Sequence, residues 1–138
     1  MAYDDQNIFA KILRAEAPAF KVYEDEFSLA FMDVMPQVDG HTLVIPKDAT
    51  ENLHEADPEI LGRTIVNVQK VAAAVKKAFD SPGIMIAQLN GKAAGQTVFH
   101  LHFHILPRRD GLDAGMHARE MADFTLLEDH AARFRAAL

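Results

Sequence analysis

The stretch of sequence that decides the fold spans residues 96–107 and reads QTVFHLHFHILP. Histidines and large apolar residues alternate along it, and a period of two is typical of a β-strand with one buried face. We therefore predict a strand on which His100, His102 and His104 share one side, while the apolar residues between them pack into the core. Three neighbouring histidines are poor core residues, so their side of the strand should line a polar site.

The loop before this strand favours chemistry on a phosphate. Residues 90–97 read NGKAAGQT and include two glycines, which let a backbone approach a ligand closely. Successive N–H groups in such a loop can form an anion-binding nest. Imidazole is the side chain best suited to act as a nucleophile or acid–base group at neutral pH. A nest that leads into a row of imidazoles therefore suits attack on a phosphate.

A metal site is the main alternative, and a purely structural role for the histidines is another. A His-x-His pair is a common chelating pair. Side chains two residues apart on a strand are separated by about 7 Å, so the outer two histidines lie about 13 Å apart and cannot both join the middle one on a single ion. Further ligands would have to come from His41, Asp33 or His117. Because an ion would need such additional residues, we predict that the site holds no metal.

Four stretches together resemble the histidine triad (HIT) proteins, and within them the Hint branch of bacterial type. The string HLHFHIL resembles the family signature, in which three histidines alternate with apolar residues. The other similar stretches are NIFAKI at residues 7–12, LAFMDVMP at 29–36 and HTLVIPK at 41–47. The resemblance covers roughly residues 6–109, and it implies a small nucleotide hydrolase or nucleotidyl transferase with no cofactor.

The resemblance also implies a mechanism. His102 would attack the α-phosphorus of a nucleotide, expel an amine or similar leaving group, and pass the nucleotidyl group to water. His100 would orient His102, while His104 and His41 would bind phosphate oxygens and stabilise the transition state. Thr97 would assist the leaving group or hold the phosphate. The expected product is a nucleoside 5′-monophosphate, with AMP the first candidate, as in a purine nucleoside phosphoramidase.

The substrate contacts are likewise implied by the resemblance, with one exception that the residues themselves suggest. Asp33 shares a strand face with Phe31 in an apolar segment, which is costly for a carboxylate unless it is paired or binds a ligand. The resemblance assigns Asp33 to the ribose hydroxyls. The other expected contacts are Ile8, Phe9, Ile12 and Phe31 at the base and His41, Asn90 and Gln96 near the phosphate.

Composition narrows the class of protein. A chain of 138 residues predicts one domain, here residues 1–138, with a core of about 6–109 and a tail and helix at 110–138. The chain has no cysteine, so a disulfide framework or thiolate zinc site is excluded. A net charge of −6 argues against a nucleic acid polymer as partner. We find neither a signal peptide nor an apolar run long enough to span a membrane, and so expect a cytoplasmic protein. The resemblance implies a homodimer.

The predicted fold is α+β: about five antiparallel strands with one long helix packed on them, a short N-terminal helix and a C-terminal helix. Asp57 and Pro58 mark the start of the long helix, whose apolar stripe includes Ile65 and Val68. Asp123 should cap the last helix. Short links between strands predict an antiparallel meander rather than β-α-β crossovers.

The sequence leaves two other hypotheses of function open. The chain could be a nucleotide-binding sensor or scaffold module with little turnover, or a metal carrier. Among enzymes, the leaving group could be an amine, an acyl group, a second nucleotide or sulfate. The tail resembles the longer tails of bacterial relatives, and its role in substrate choice is not fixed by the sequence.

Overall fold

The computed structural model describes residues 3–110 and 121–138 of the chain. In chain order its helices and strands are α1 (Ile8–Leu13), β1 (Lys21–Glu24), β2 (Ser28–Met32), β3 (Thr42–Pro46), α2 (Pro58–Ala78), β4 (Gly83–Ala87), β5 (Phe103–Arg108) and α3 (Phe124–Ala137). Short 3₁₀ turns lie at Leu53–Glu55 and Lys92–Ala94. Among the described residues no helix combines the length and apolar character that crossing a bilayer needs. His117, which was named above as a possible metal ligand, and most of the polar stretch before Ala122 lie outside the described residues.

The five strands form one sheet in the order β1-β2-β3-β5-β4, and every neighbouring pair is antiparallel. The predicted α+β fold is confirmed. The predicted simple meander is wrong in one respect, because β5 lies between β3 and β4. Since β3 and β4 both run antiparallel to β5, they are parallel to each other, and α2 makes the crossover between them. The helix gives this connection the length to pass over the intervening strand.

The strand of the three histidines begins later than predicted. β5 starts at Phe103, and the chain before it leaves the ladder, with the Leu101 N–H donating to the Thr50 carbonyl at 2.8 Å. The partner position explains this break: Pro46 has no N–H, and its carbonyl accepts a hydrogen bond from the His100 ring instead. The predicted alternation nevertheless holds. Leu101 and Phe103 are buried in the core beneath the helices, on the side away from the histidines.

The long helix α2 starts where predicted, and its predicted apolar stripe is buried at Val68 but not at Ile65. Asp57 caps it by accepting hydrogen bonds from the first-turn N–H groups, and Pro58 follows. Ile65 is 45% exposed, whereas Thr64 and Asn67 are buried. These polar residues are tolerated inside because the Thr64 hydroxyl donates to a backbone carbonyl of the preceding turn and the Asn67 amide donates to the Asp25 carboxylate at 2.8 Å.

Different helices pack on the two faces of the sheet. On one face, α2 and α3 enclose the larger core, to which α3 contributes Leu127, Ala131 and Phe134. The α3 helix is capped by Asp123 as predicted, through a 2.7 Å bond from the Thr125 N–H. The other face carries a smaller apolar cluster around Phe31, which is covered in part by the short helix α1. This second face is where a ligand has room.

Candidate active site

A cavity of about 410 Å³ lies on the sheet face that α2 and α3 leave open. This is within the usual range for small-molecule sites. Most of the residues predicted for the site line it: Ile8, Phe9, Ile12, Phe31, Asp33, Thr97, His102 and His104. The other four predicted residues do not line it: His41, His100, Asn90 and Gln96. A second cavity of about 440 Å³, beside Phe79 and Arg133, contains none of the predicted residues.

His102 is held in one tautomer by the backbone. Its Nδ1 lies 2.7 Å from the carbonyl oxygen of His100, and since a carbonyl can only accept, Nδ1 must carry the proton. The lone pair is therefore on Nε2. Burial lowers the pKa of His102, so the ring is neutral at pH 7. A neutral imidazole with its lone pair on a known atom can act as a nucleophile.

His100 is fully buried and reaches the site only through its backbone. Its Nε2–H donates to the Pro46 carbonyl at 2.9 Å, so Nδ1 accepts a bond from the Tyr3 hydroxyl at 2.5 Å. The Asn7 amide in turn donates to the Tyr3 oxygen at 2.9 Å, while its own oxygen caps α1. Burial lowers the pKa of His100 to about 4. Tyr3 and Asn7 were missed by the sequence reasoning; the N-cap position of Asn7 was their one available signal.

His41 and His104 form a second pair, in which both rings carry the proton on Nε2 rather than on Nδ1 as in His102. The backbone N–H of Gln37 donates to His41 Nδ1 at 3.1 Å, so the proton of His41 is on Nε2. That Nε2 lies 2.9 Å from His104 Nδ1 and 3.5 Å from the nearer Asp33 oxygen. His104 therefore accepts at Nδ1 and carries its own proton on Nε2. Burial lowers the pKa of His104 to about 4, which keeps the ring neutral.

Asp33 lies just past the end of β2, at the edge of the cavity. One of its oxygens accepts from the Met35 N–H at 2.8 Å, and this bond favours the ionised form. Burial acts more strongly in the other direction and raises the pKa of Asp33 to about 6. A carboxylate that is desolvated in this way gains from any hydrogen-bond donor that a ligand brings.

The amides of Gln96 and Asn90 shape the loop before the histidines. The Gln96 side chain is buried, accepts from the Gly91 N–H at 2.6 Å, and donates to the Glu51 carbonyl at 3.0 Å. The Asn90 oxygen accepts from the Leu53 N–H at 2.8 Å. Both amides thus tie the loop to the segment after β3.

Four N–H groups that could have formed the predicted anion nest in this loop already have partners. The N–H groups of the loop bond to oxygens within it, and the residues concerned are Gly91, Ala94, Gly95 and Gln96. The loop closes on itself in a 3₁₀ turn, because Gly91 and Gly95 both adopt positive φ angles. Thr97 is exposed and lines the cavity, so its side chain is the part of the loop that faces a ligand.

Known proteins are similar to this chain in sequence and in fold. Residues 14–111 match the HIT domain family. The chain belongs to the HIT family. An adenosine 5′-monophosphoramidase of Saccharomyces cerevisiae is 41% identical over 87% of this chain and 75% of its own length. A crystal structure of a Hit-like protein from Bartonella henselae is 52% identical, with a TM-score of 0.92, over 99% of this chain and 100% of that one. A crystal structure of a zinc-bound histidine triad protein from Mycobacterium smegmatis is 38% identical, with a TM-score of 0.84, over 96% and 92%.

These comparisons confirm the resemblance to the Hint branch and to bacterial HIT proteins. The family includes nucleotide hydrolases, as the name of the yeast relative shows. The match ends at residue 111, so α3 lies outside the matched region of this HIT protein.

One group of side chains in this HIT protein could be considered for a metal. Ligand atoms of Asp33, His41 and His104 all lie within 4.8 Å of one another. A metal at His41 Nε2, however, needs a lone pair there, and the Gln37 N–H on Nδ1 places the proton on Nε2. Binding would require His41 to shift its proton to Nδ1, against a second donor. The arrangement fits a hydrogen-bond relay to His104 better than a metal site.

Proposed function

We propose that this HIT protein is a nucleotide hydrolase or nucleotidyl transferase that cleaves a nucleoside 5′-monophosphate, AMP first of all, from an amine or similar leaving group. The observation that carries the proposal is the bond from His102 Nδ1–H to the His100 carbonyl, which puts the lone pair on Nε2 of a cavity residue. The name of the yeast relative supports the choice of reaction.

The reaction would run in two steps. In the first, His102 Nε2 attacks the α-phosphorus, a bond forms between phosphorus and nitrogen, and the bond to the leaving amine breaks, with the amine taking up a proton from solvent. In the second, water attacks the nucleotidyl-imidazole and releases the monophosphate. His104 would donate its Nε2–H to a non-bridging phosphate oxygen, and His41 would hold that proton in place. Thr97 would lie beside the leaving group.

The apolar part of the cavity would receive the base. Ile8, Phe9 and Ile12 of α1 and Phe31 of β2 contribute apolar walls, and the Phe9 ring lies edge-on to the His102 ring at 5.0 Å. Asp33 would accept hydrogen bonds from the ribose hydroxyls. Desolvation of this carboxylate is then offset when the substrate binds.

We also propose that the protein is a homodimer. β4 is an edge strand of the sheet, and Ile86 on it is 43% exposed. An unpaired edge strand can pair with another chain, and two-fold homodimers are the commonest oligomers. Sedimentation at micromolar concentration should give about twice the 15.3 kDa of one chain. A single-chain mass would contradict this.

Hydrolysis of adenosine 5′-phosphoramidate tests the proposed function. The protein should convert it to AMP, and a rapid quench in alkaline denaturant, in which the phosphorus–nitrogen bond survives, followed by peptide mass spectrometry should find AMP on His102. The sensor alternative would take its place if the protein bound AMP but turned over neither the phosphoramidate nor an acyl or sulfate adduct of AMP.

A further inference from the structure

Part of the cavity wall comes from the chain that follows the region matching the HIT domain, just as α1 contributes from before it. The match ends at residue 111, yet Phe124, the first residue of α3, lines the same cavity as Phe9 and His102. We propose that Phe124 contacts the nucleobase, so that the C-terminal segment helps to set base preference. The inference rests on the proposed function and adds a specificity residue to it.

The position of Phe124 is fixed before any ligand binds. The N–H of Ala122 donates to the Val34 carbonyl at 2.9 Å, which ties the segment to the turn after β2. The Phe124 ring packs on Phe20, with the ring centres 5.3 Å apart and the planes at 58°. Asp123 caps α3 from the adjacent position. A ring anchored on both sides costs little further entropy when it binds a ligand.

The exposure of Phe124 is unusual for an anchored aromatic ring. It is 52% exposed, and three other exposed apolar residues that line the cavity are Ile8, Val34 and Met35. A contiguous apolar patch around a cavity marks a surface that a ligand covers. Of the parts of a nucleotide, only the base is aromatic and uncharged, so the base is the part that fits this patch.

The register of the sheet places Phe124 at the base end of the cavity. His104, Leu43, Phe31 and Lys21 pair in one row across β5, β3, β2 and β1. Three strand spacings of about 4.8 Å put the β1 end of this row roughly 14 Å from His104. Phe124 packs on Phe20, which immediately precedes Lys21.

A nucleotide would lie along this row in a defined direction. Its phosphate would lie at His104 on β5 and its ribose at Asp33, just after β2, so the base would extend towards β1 and Phe124. The two fused rings of a purine reach further from the ribose than the single ring of a pyrimidine. Contact with Phe124 should therefore favour purines more than pyrimidines.

Calorimetric titration with AMP and CMP tests the assignment. Phe124→Ala should weaken AMP binding about tenfold, as expected for the loss of one base–aromatic contact, and CMP binding by less. The KM for adenosine 5′-phosphoramidate should rise while kcat stays within about twofold, because the ring is remote from the reacting atoms. Leu126→Ala is the matched control: Leu126 lies in the same turn of α3 and is 39% exposed, but does not line the cavity. It should bind both nucleotides normally.

A conservative variant separates contact from folding. Phe124→Tyr keeps the ring and should restore AMP affinity, and thermal unfolding should show that α3 remains folded in each variant. Tight AMP binding by both the unaltered protein and Phe124→Ala would overturn this inference and leave the proposed function intact. An equal loss of AMP and CMP affinity in Phe124→Ala would also count against it. Failure of the unaltered protein to bind any nucleoside monophosphate would overturn the proposed function and this inference together.

Discussion

Each of the two histidines that line the cavity is paired with a buried histidine that does not, and the two pairs have different chemistry. In the first pair, His100 and His102, each ring donates to a carbonyl, which leaves the lone pair of His102 on Nε2. In the second pair, His41 accepts from a backbone N–H and donates to His104, whose proton is consequently on Nε2. A carbonyl can only accept and an N–H can only donate, which fixes the protons of His102 and His41, and the proton of His104 follows from that of His41.

The difference shows that the histidines of this site differ in role because they differ in tautomer and not because they differ in charge. Burial lowers the pKa of His100 and His104 to about 4, so these rings are neutral at pH 7 and cannot be told apart by ionisation. One pair offers a lone pair suited to attack phosphorus, and the other offers an N–H suited to bind the oxygens around it. Because a neutral imidazole in water exchanges between both tautomers, fixing each ring removes part of the cost of reaching the transition state.

Removal of the nucleophile should have the largest effect. His102→Ala should lower kcat for adenosine 5′-phosphoramidate by at least about a thousandfold, because water cannot replace a covalent nucleophile. AMP binding, measured by calorimetry, should change little, since the apolar walls and Asp33 remain. Normal hydrolysis by His102→Ala would contradict the assignment of the lone pair to His102.

Removal of the donor pair should have a smaller effect. His104→Ala should lower kcat about a hundredfold, the usual loss when one donor to a developing anion is removed. His41→Ala should lower it less, because His104 keeps its ring but loses the group that fixes its proton. Imidazole ¹⁵N shifts check the reason directly: His104 should show one pure tautomer in the unaltered protein and a mixture in His41→Ala. A pure tautomer in both would show that His41 does not set it.

The sequence predicted side-chain direction well and strand limits less well, for a physical reason. Alternation depends only on the period of the backbone, so the opposite burial of Leu101 and His100 follows from their spacing. The start of β5 depends instead on the Pro46 carbonyl, a group distant in sequence that takes the His100 ring as its partner. The burial of Asn67 in place of Ile65 on α2 was missed for a similar reason, because the partners of Asn67 lie near β2.

Within the site, the residue types were predictable and their partners were not. Histidine spacing and the family resemblance indicated which rings to examine. The proton positions depend on backbone groups of Gln37 and His100, which no side-chain pattern reveals. An amide such as that of Gln96 can form hydrogen bonds equally well with a ligand or with its own loop, and here it bonds to the loop. Phe124 lies beyond the stretch that resembles the family, so nothing in that resemblance pointed to it.

Asp33 lies 3.5 Å from His41, and its proposed contact with the ribose should give a moderate effect. Adenosine should bind about tenfold more tightly than 2′-deoxyadenosine, and Asp33→Asn should remove most of this preference. The raised pKa of Asp33, about 6, sets the pH dependence: the carboxylate accepts best when ionised, so adenosine affinity should rise as the pH increases through 6. Nucleosides are used because they carry no phosphate that titrates in this range. Equal affinity for the two nucleosides at pH 7.5 would contradict a ribose contact.

Metal removal should have no effect, and this expectation is the strictest test of the donor pair. Asp33, His41 and His104 are close enough together to bind an ion only if His41 moves its proton to Nδ1, where the Gln37 N–H already points. A zinc ion would convert both histidines from a relay into ligands and would remove the Nε2–H of His41. We therefore expect full kcat after exhaustive chelation and dialysis, and no stoichiometric zinc by elemental analysis. Activity that is lost to a chelator and restored by zinc would mean that His41 carries its proton on the other nitrogen, and the contrast between the two histidine pairs would no longer hold.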